Sequence, residues 1–426
     1  MKIKTTDLDY NKVISLPRPK HFLPKKPSAA MRALVKSVSM PELKKAGFTC
    51  DNSGLEALGK NTPALVLMNH SSFIDLKIAS AMLWPRPYNI VCTSDGFVGK
   101  EKLMRSIGCI PAKKFITDTT LVRDMRYALD RLKCSVLMYP EASYSFDGTA
   151  TPLPGSLGKL LKLLNVPVIM IKTYGAFLRD PLYNSLQIRN VSVSAESKYI
   201  LSPEDIAEKS ADELNGILKK HFTFDNFSWQ KEHSVVVDEP FRADGLGRVL
   251  YKCPSCNEEG CLVGKGTALE CNKCGKKYEL TELGEMKAVS GETKFSHIPD
   301  WYAWERKCVR DEIENGSYCL DIPVKIRMMV DMKSIYTVGS GRLVHNTDGF
   351  HLTGCDGRLN YTQKPAASYS LYSDYYWYEL GDMICIGDSN ALYYCFPETE
   401  KDVVAKTRLA AEELYKLKTS KKKDSD

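Results

Sequence analysis

Apolar and polar positions follow one period up to about residue 235 and another beyond residue 280. From Ala64 to Met68 the run ALVLM is apolar with a β-branched centre, the pattern of a short strand buried on both faces. Tyr88 to Thr93, Ser135 to Tyr139 and Val166 to Lys172 read as further buried strands. Helical stretches separate them. Phe73 to about Leu83 follows the first strand, behind a capping-box pattern of Ser72 and Asp75. In Asp118 to Lys133 the residues Leu121, Val122, Met125, Ala128, Leu129 and Leu132 keep the 3.6-residue period. Leu157 to Leu164 forms another helix, Leu186 to Leu201 adds one or two strands, and Ser202-Pro203-Glu204-Asp205 starts a helix to about Lys220. Strand-helix repeats of this kind predict an α/β fold, a mostly parallel sheet with flanking helices, over residues 46–235.

From Ile322 to Cys395 the period shortens to that of strands. Short Tyr/Val/Ile segments are split by Gly, Asn and Asp turns, giving about seven strands. Lys401 to Lys416 then reads as one amphipathic helix, with Val404, Leu409, Ala410, Leu414 and Tyr415 as its apolar residues. The element order of this small β-rich domain, residues 290–416, is similar to that of the pleckstrin-homology architecture. Residues 417–426 read as a disordered basic tail.

Cysteines punctuate the gap between the two patterns. Cys253 and Cys256 form one C-x-x-C pair, Cys271 and Cys274 another, and Gly260, Gly264 and Gly266 between them suit a hairpin. Two thiolate pairs on tight turns supply the ligands of a tetrahedral structural Zn²⁺, so residues 250–282 are expected to form a zinc ribbon. Cys261 is left over, because such sites close at four ligands. The other cysteines of the fourteen are scattered, many in apolar runs, as expected of free thiols in a reducing cytosol.

The N-terminal 45 residues are basic. Between Arg18 and Lys45 eight Lys/Arg stand against one acid, Glu42, with Phe22 and Leu23 interleaved and an amphipathic helix from Ser28 to Ser37. An arm of this kind can lie on anionic lipid. The first residues, MKIKTTDLDYNKV, have no apolar core of a secretory signal, and no stretch reaches membrane-spanning length without charges. The expected location is therefore cytoplasmic, peripheral on the inner face of a membrane. A net charge of +7 over 426 residues suits an anionic surface or phosphorylated substrates and does not argue for nucleic acid.

The chemistry concentrates where the first strand ends. His70 sits at the handover from a buried strand to a helix N-terminus, where open α/β sheets place their ligands. Asp75 lies in the first helical turn, able to fold back on the imidazole, fix its tautomer and leave the other nitrogen as a base. The block Asn69-His70-x-Ser72-x-x-Asp75 resembles the first signature of the glycerolipid (1-acylglycerol-3-phosphate) acyltransferase family, in which the His is general base and the Asp its orienting partner. GFVGKEKLMRSIGCIPAKKF, residues 96–115, resembles the second block, where a basic residue contacts the acceptor phosphate; Lys113 and Lys114 are the candidates here. YPEASYS, residues 139–145, resembles the third, with Glu141 and Ser143 as candidate acceptor-binding residues, and VPVIMI, residues 166–171, the fourth. Two positions depart from the pattern. The family's Gly-Thr-Arg is Ala142-Ser143-Tyr144, so the arginine is missing, and a later proline is Met170.

The resemblance implies transfer of a fatty acyl group from acyl-CoA or acyl-carrier protein to the free hydroxyl of a lysophosphatidate-type lysophospholipid. Two alternatives stand beside it: a lipid-docking or scaffold protein that has lost turnover, and a zinc-ribbon binder of nucleic acid.

Overall fold

The architecture is that of a computed structural model describing residues 2–423 apart from 117 and 186. The 186 end of the strand expected over 186–201, and residues 424–426 of the tail, lie outside the described residues. In chain order the first half contains β1 (Thr5–Asp7), helix α1 (Ala29–Lys45), β2 (Thr49–Asp51), β3 (Leu65–Met68), α2 (Asp75–Met82), β4 (Tyr88–Thr93) and β5 (Cys109–Ala112). It continues with α3 (Thr119–Asp130), β6 (Ser135–Met138), α4 (Leu157–Leu164), β7 (Val168–Tyr174), β8 (Ser194–Leu201) and α5 (Ala211–Phe222).

These elements make a seven-stranded sheet in the order β2-β8-β7-β3-β6-β4-β5. Every pairing is parallel except β7 with β8. β3 lies in the middle and all its residues are buried. Its side chains alternate between faces as strand geometry requires. Val66 and Met68 pack with Ile78, Ala79 and Met82 of α2, whereas Leu65 and Leu67 pack with Met125 and Leu129 of α3 and Leu161 of α4. The residue that follows a strand so enclosed is held in place by both layers.

The remaining strands are β9 (Leu262–Lys265), β10 (Ala268–Cys271), β11 (Lys277–Leu280) and β12 (Met286–Ala288), then helix α6 (Ile298–Glu314). After it come β13 (Leu320–Met329), β14 (Ile335–Asn346), β15 (Gly349–Gly354), β16 (Leu359–Gln363), β17 (Tyr372–Asp374), β18 (Met383–Gly387), β19 (Leu392–Pro397) and α7 (Val404–Lys423). β9 to β12 form a four-stranded antiparallel sheet. β13 to β19 form an antiparallel sheet in the order β16-β15-β14-β13-β19-β18-β17, two meanders joined where β13 meets β19.

Three features differ from the sequence expectation. β1 pairs in parallel with β14, so the first residues of the chain belong to the last sheet. α1 packs on α2, where Ser80 Oγ donates to Ser39 Oγ at 3.0 Å and Lys77 pairs with Glu42. α7 is not amphipathic over its middle: residues 407–414 are buried all round, including Arg408, Glu412 and Glu413. A helix enclosed on every side is a core element, and its charges must find partners inside.

The two large sheets meet along a seam. Val98, from the segment after β4, shares a cluster with Met329, Tyr372, Trp377, Tyr394 and Phe396. Tyr372 Oη donates to Asp95 Oδ2 at 2.6 Å and accepts from the Trp377 indole at 2.9 Å.

Candidate active site

α2 begins at Asp75 rather than Phe73 because the Asp75 carboxylate holds the residues before it in a turn. Its Oδ2 accepts the N–H of Ser71 at 2.7 Å and of Ser72 at 3.1 Å. The same oxygen lies 3.1 Å from His70 Nδ1. Asp75 is 1% exposed, and the helix N-terminus over which it sits favours its negative charge. His70 Nδ1–H therefore donates to a fixed, buried carboxylate, which leaves Nε2 as the basic nitrogen. Burial pushes the His70 pKa down; Asp75 opposes that, and the Lys114 charge adds to it. The ring is thus kept neutral, the form a general base needs. Asn69 ties this turn to β7: its Oδ1 accepts the Thr173 N–H at 2.9 Å and its Nδ2 donates to Ser71 Oγ at 2.9 Å.

Glu141 comes to the same place from the end of β6. Its Oε2 accepts the backbone N–H of His70 at 2.8 Å, and its Oε1 accepts the Thr151 N–H at 2.7 Å. Burial pushes the Glu141 carboxyl up to about 7. One oxygen supports the backbone of His70 and the other ties that support to Thr151. Ala142, standing where the family has glycine, takes φ +55°, a conformation that costs an L-residue about 1–2 kcal/mol.

The next two residues face inward. Ser143 is buried and its Oγ accepts from Arg408 Nη2 at 2.8 Å, so the hydroxyl is engaged by α7. Tyr144, at the position of the missing arginine, lays its ring 4.0 Å from that of His70, and Tyr139 lies at 4.4 Å. Phe73 packs against Tyr144 at 5.1 Å and is half exposed. The imidazole is therefore enclosed by two tyrosines, and its side chain keeps 17% exposure.

Lys113 and Lys114 diverge. The Lys113 ammonium donates to the carbonyl of Ser389, in the turn between β18 and β19. Lys114 Nζ sits 4.2 Å from the centre of the Tyr372 ring, in the seam, with Asp95 and Asp374 acting on it. Burial pushes Lys114 down and pushes Asp374 up to about 7, each opposing the other's shift. The structure brings His70, Asp75 and Glu141 together, leaves Lys114 in the seam where its charge still acts on His70, and sends Lys113 to the second sheet. Sequence reasoning did not find Tyr139, Thr151, Asp374 or Arg408. A hint of the last was available: Arg408 and Glu412 stand four residues apart within the apolar face expected of the final helix.

The four paired cysteines also converge. Their Sγ atoms lie within 4.8 Å of one another, with Cys253 and Cys274 at 3.8 Å and Cys256 and Cys271 at 3.7 Å. Tetrahedral coordination at the usual Zn–S length of about 2.3 Å sets sulfurs about 3.8 Å apart. Each pair ends in the same turn: Asn257 and Gly275 take positive φ and donate N–H to the carbonyls of Cys253 and Cys271, both at 2.9 Å. The donor set fits the metal. Cys261 Sγ lies 3.3 Å from Cys271 Sγ, outside that set. The unit also shares a core with α6, where Trp301 Nε1 donates to the Lys252 carbonyl at 3.0 Å and Tyr251 Oη to that of Glu305 at 3.2 Å.

Among curated proteins none matches the chain. A solved structure that is similar is that of the 1-acyl-sn-glycerophosphate (LPA) acyltransferase PlsC from Thermotoga maritima, at 16% identity and a TM-score of 0.37, covering 45% of this chain and 76% of that one. The family model described as acyltransferase matches residues 50–172, a stretch that runs from β2 into β7 and contains His70, Asp75 and Glu141.

Proposed function

We propose that the chain is an O-acyltransferase of lipid synthesis in which His70 is the general base. The observation that carries this reading is the His70 Nδ1–Asp75 Oδ2 pair at 3.1 Å, at the end of a central strand within the residues matched to the acyltransferase family. His70 Nε2 takes the proton of an acceptor hydroxyl as its oxygen attacks the thioester carbonyl of acyl-CoA or acyl-carrier protein. The tetrahedral intermediate collapses with loss of the thiolate, which takes the proton back from the imidazolium. Asp75 fixes the tautomer and stabilises the transient cation.

The acceptor proposed is a lysophosphatidate-type glycerol hydroxyl. The charge of Lys114 acts on His70 and would attract the acceptor's phosphate, while Lys113 is engaged by Ser389. Because an arginine forks onto phosphate and a tyrosine offers one donor, Tyr144 makes this acceptor less tightly held than the family pattern implies. Cys253, Cys256, Cys271 and Cys274 would hold a structural Zn²⁺, which stabilises the ribbon and takes no part in acyl transfer.

No helix among the described residues is long and apolar enough to cross a membrane. The proposed placement is cytoplasmic, on an anionic inner surface, through the basic residues of the N-terminal 45 and the exposed apolar side chains Phe22, Leu23, Leu34, Val38 and Phe73. One observation favours a second reading, a lipid-docking scaffold without turnover: two tyrosine rings already cover His70. Purified protein with labelled acyl-CoA or acyl-carrier protein and a panel of lysophospholipids decides between them. Labelled phospholipid is the expected product. Its absence with both donors across the panel overturns the enzymatic reading.

A further inference from the structure

The loop that covers His70 is held from the far end of the chain. Arg408 of α7 is 3% exposed and spends its guanidinium on that loop: Nη2 donates to Ser143 Oγ at 2.8 Å and Nη1 to the Tyr144 carbonyl at 3.2 Å. Its charge lies 4.3 Å from the centre of the Phe146 ring, on the same segment. On its own helix it meets Glu412, with Nε donating to Oε1 at 3.3 Å. Glu412 is in turn held by Arg306 of α6 at 2.7 Å and by Ser370 Oγ at 2.6 Å. The loop needs such a hold, because Ala142 just before it adopts φ +55°. On its other side Glu141 bonds the His70 backbone.

We propose that Arg408 is a positioning residue for His70, fixing Ser143 and Tyr144 so that the Tyr144 ring shields the imidazole, and thereby making the site conditional on the docking of α7. The inference rests on the acyltransferase reading for its catalytic meaning, though not for its test. Three features argue against a merely structural bond. Among the described residues, the hydrogen bonds and the ring contact that Arg408 makes outside its own helix fall on the segment 143–146. That segment is the one whose tyrosine lays its ring against His70 at 4.0 Å. Glu412 keeps Arg306 and Ser370 if Arg408 is removed, so the ion network does not depend on it.

The groups around the imidazole are Asp75 from α2, Glu141 through the backbone, and Tyr139 and Tyr144 beside the ring, with the charge of Lys114 from beyond β5 also acting on it. Of these only Tyr144 is positioned by Arg408. Releasing it exposes the ring to water, and burial is the main effect that lowers its pKa.

The test is a pH titration of the His70 ring by NMR, assigned with His70→Ala, in the full chain and in Arg408→Gln, Arg408→Lys, Tyr144→Ala and Arg408→Gln/Tyr144→Ala. Arg310→Gln, which touches the same helix pair at the surface, serves as control. Arg408→Gln and Tyr144→Ala should each raise the His70 pKa by about half a unit or more. The double variant should go no further than either single, Arg408→Lys should recover part of the shift, and Arg310→Gln should leave it unchanged. If the enzymatic reading holds, kcat should fall by about 10–100-fold in Arg408→Gln with KM little changed. A folded Arg408→Gln whose His70 titrates as in the wild type overturns the proposal. Should that variant not fold, Ser143→Ala, which cuts one bond and leaves Arg408 paired, must show the same upward shift or the proposal fails. Wild-type protein without turnover would overturn the acyltransferase reading alone, since the titration needs no substrate.

Discussion

Two loops build the site, and they are held by different means. The loop 69–75 supplies much of its own support: Asp75 bonds the N–H groups of Ser71 and Ser72 and the ring of His70, all within six positions, while Thr173 and Glu141 anchor its first two residues. The loop 141–145 is held from elsewhere, by Thr151 on one side and by Arg408 on the other. A loop held largely from within can carry reactive chemistry as a short motif. A loop held at a distance makes the chemistry answerable to another part of the chain.

The largest effect should come from the first loop. His70→Ala should leave the fold intact and cut acyl transfer by about 10²–10⁴-fold, the usual contribution of a general base. Asp75→Asn should cost less than His70→Ala, because it removes the orienting charge and keeps the base. Steady-state rates with labelled acyl donor measure both. Undiminished turnover in His70→Ala would end the mechanism, and with it the idea that the local loop carries the chemistry.

This contrast also explains what the sequence could show. β3, α3 and α4 were legible because burial on both faces or on one stripe leaves a period that neighbours do not alter. His70, Asp75 and the four cysteines were legible because each set is joined by short spacing. The role of Ser143 was not: its buried hydroxyl is taken by a residue on α7, and nothing near residue 143 announces that. Lys113 and Lys114 look equivalent in sequence, yet one reaches Ser389 and the other the Tyr372 ring. The pairing of β1 with β14 was hidden too, because three exposed polar residues have no strand pattern of their own. The amphipathic pattern of Lys401 to Lys416 fails over residues 407–414 for the same reason, since the partners of Arg408 and Glu412 lie far along the chain.

The cysteine knuckles extend the comparison to a second local device. One Zn²⁺ per chain is expected by metal analysis, and none in Cys253→Ser/Cys271→Ser. Protease cleavage should then appear between about Tyr251 and Leu280, because the ion supplies local folding energy. The Trp301 and Tyr251 bonds to this unit predict that α6 is loosened as well, which hydrogen exchange would detect. Metal-free wild-type protein prepared under reducing conditions overturns the zinc assignment.

A smaller effect tests the seam between the sheets. In Tyr372→Phe the Asp95 carboxylate loses its donor at 2.6 Å, keeping only the weaker one of Tyr394 at 3.4 Å, and the Trp377 indole loses its acceptor. Each unsatisfied buried group costs about 1–3 kcal/mol. Denaturant unfolding should show a loss of that order. An unchanged midpoint would mean that this bond of the seam does not bear on stability.

The finest test sits where the two loops touch, at Glu141. Its carboxyl is raised from 4.5 to about 7 by burial, so the folded protein holds a proton there that the unfolded chain releases between those values. Where the folded state binds more protons, stability falls as pH rises. The contribution of Glu141 should therefore be fully present below about pH 4.5 and lost as pH rises through 7, with a slope of at most about 1.4 kcal/mol per pH unit. Glu141→Gln removes that titration, at the cost of one of the two acceptors that hold the His70 and Thr151 N–H groups. The stability difference between wild type and variant, followed by thermal unfolding from pH 4.5 to 8, should change across this window and be flat on either side. Subtracting the variant cancels the other carboxylates, including Asp374, which titrates in the same range. A difference that stays constant from pH 4.5 to 8 would mean that Glu141 is ionised throughout. The bond to the His70 backbone would then be charged at every working pH, and the two loops would be joined more tightly than a titrating carboxyl allows.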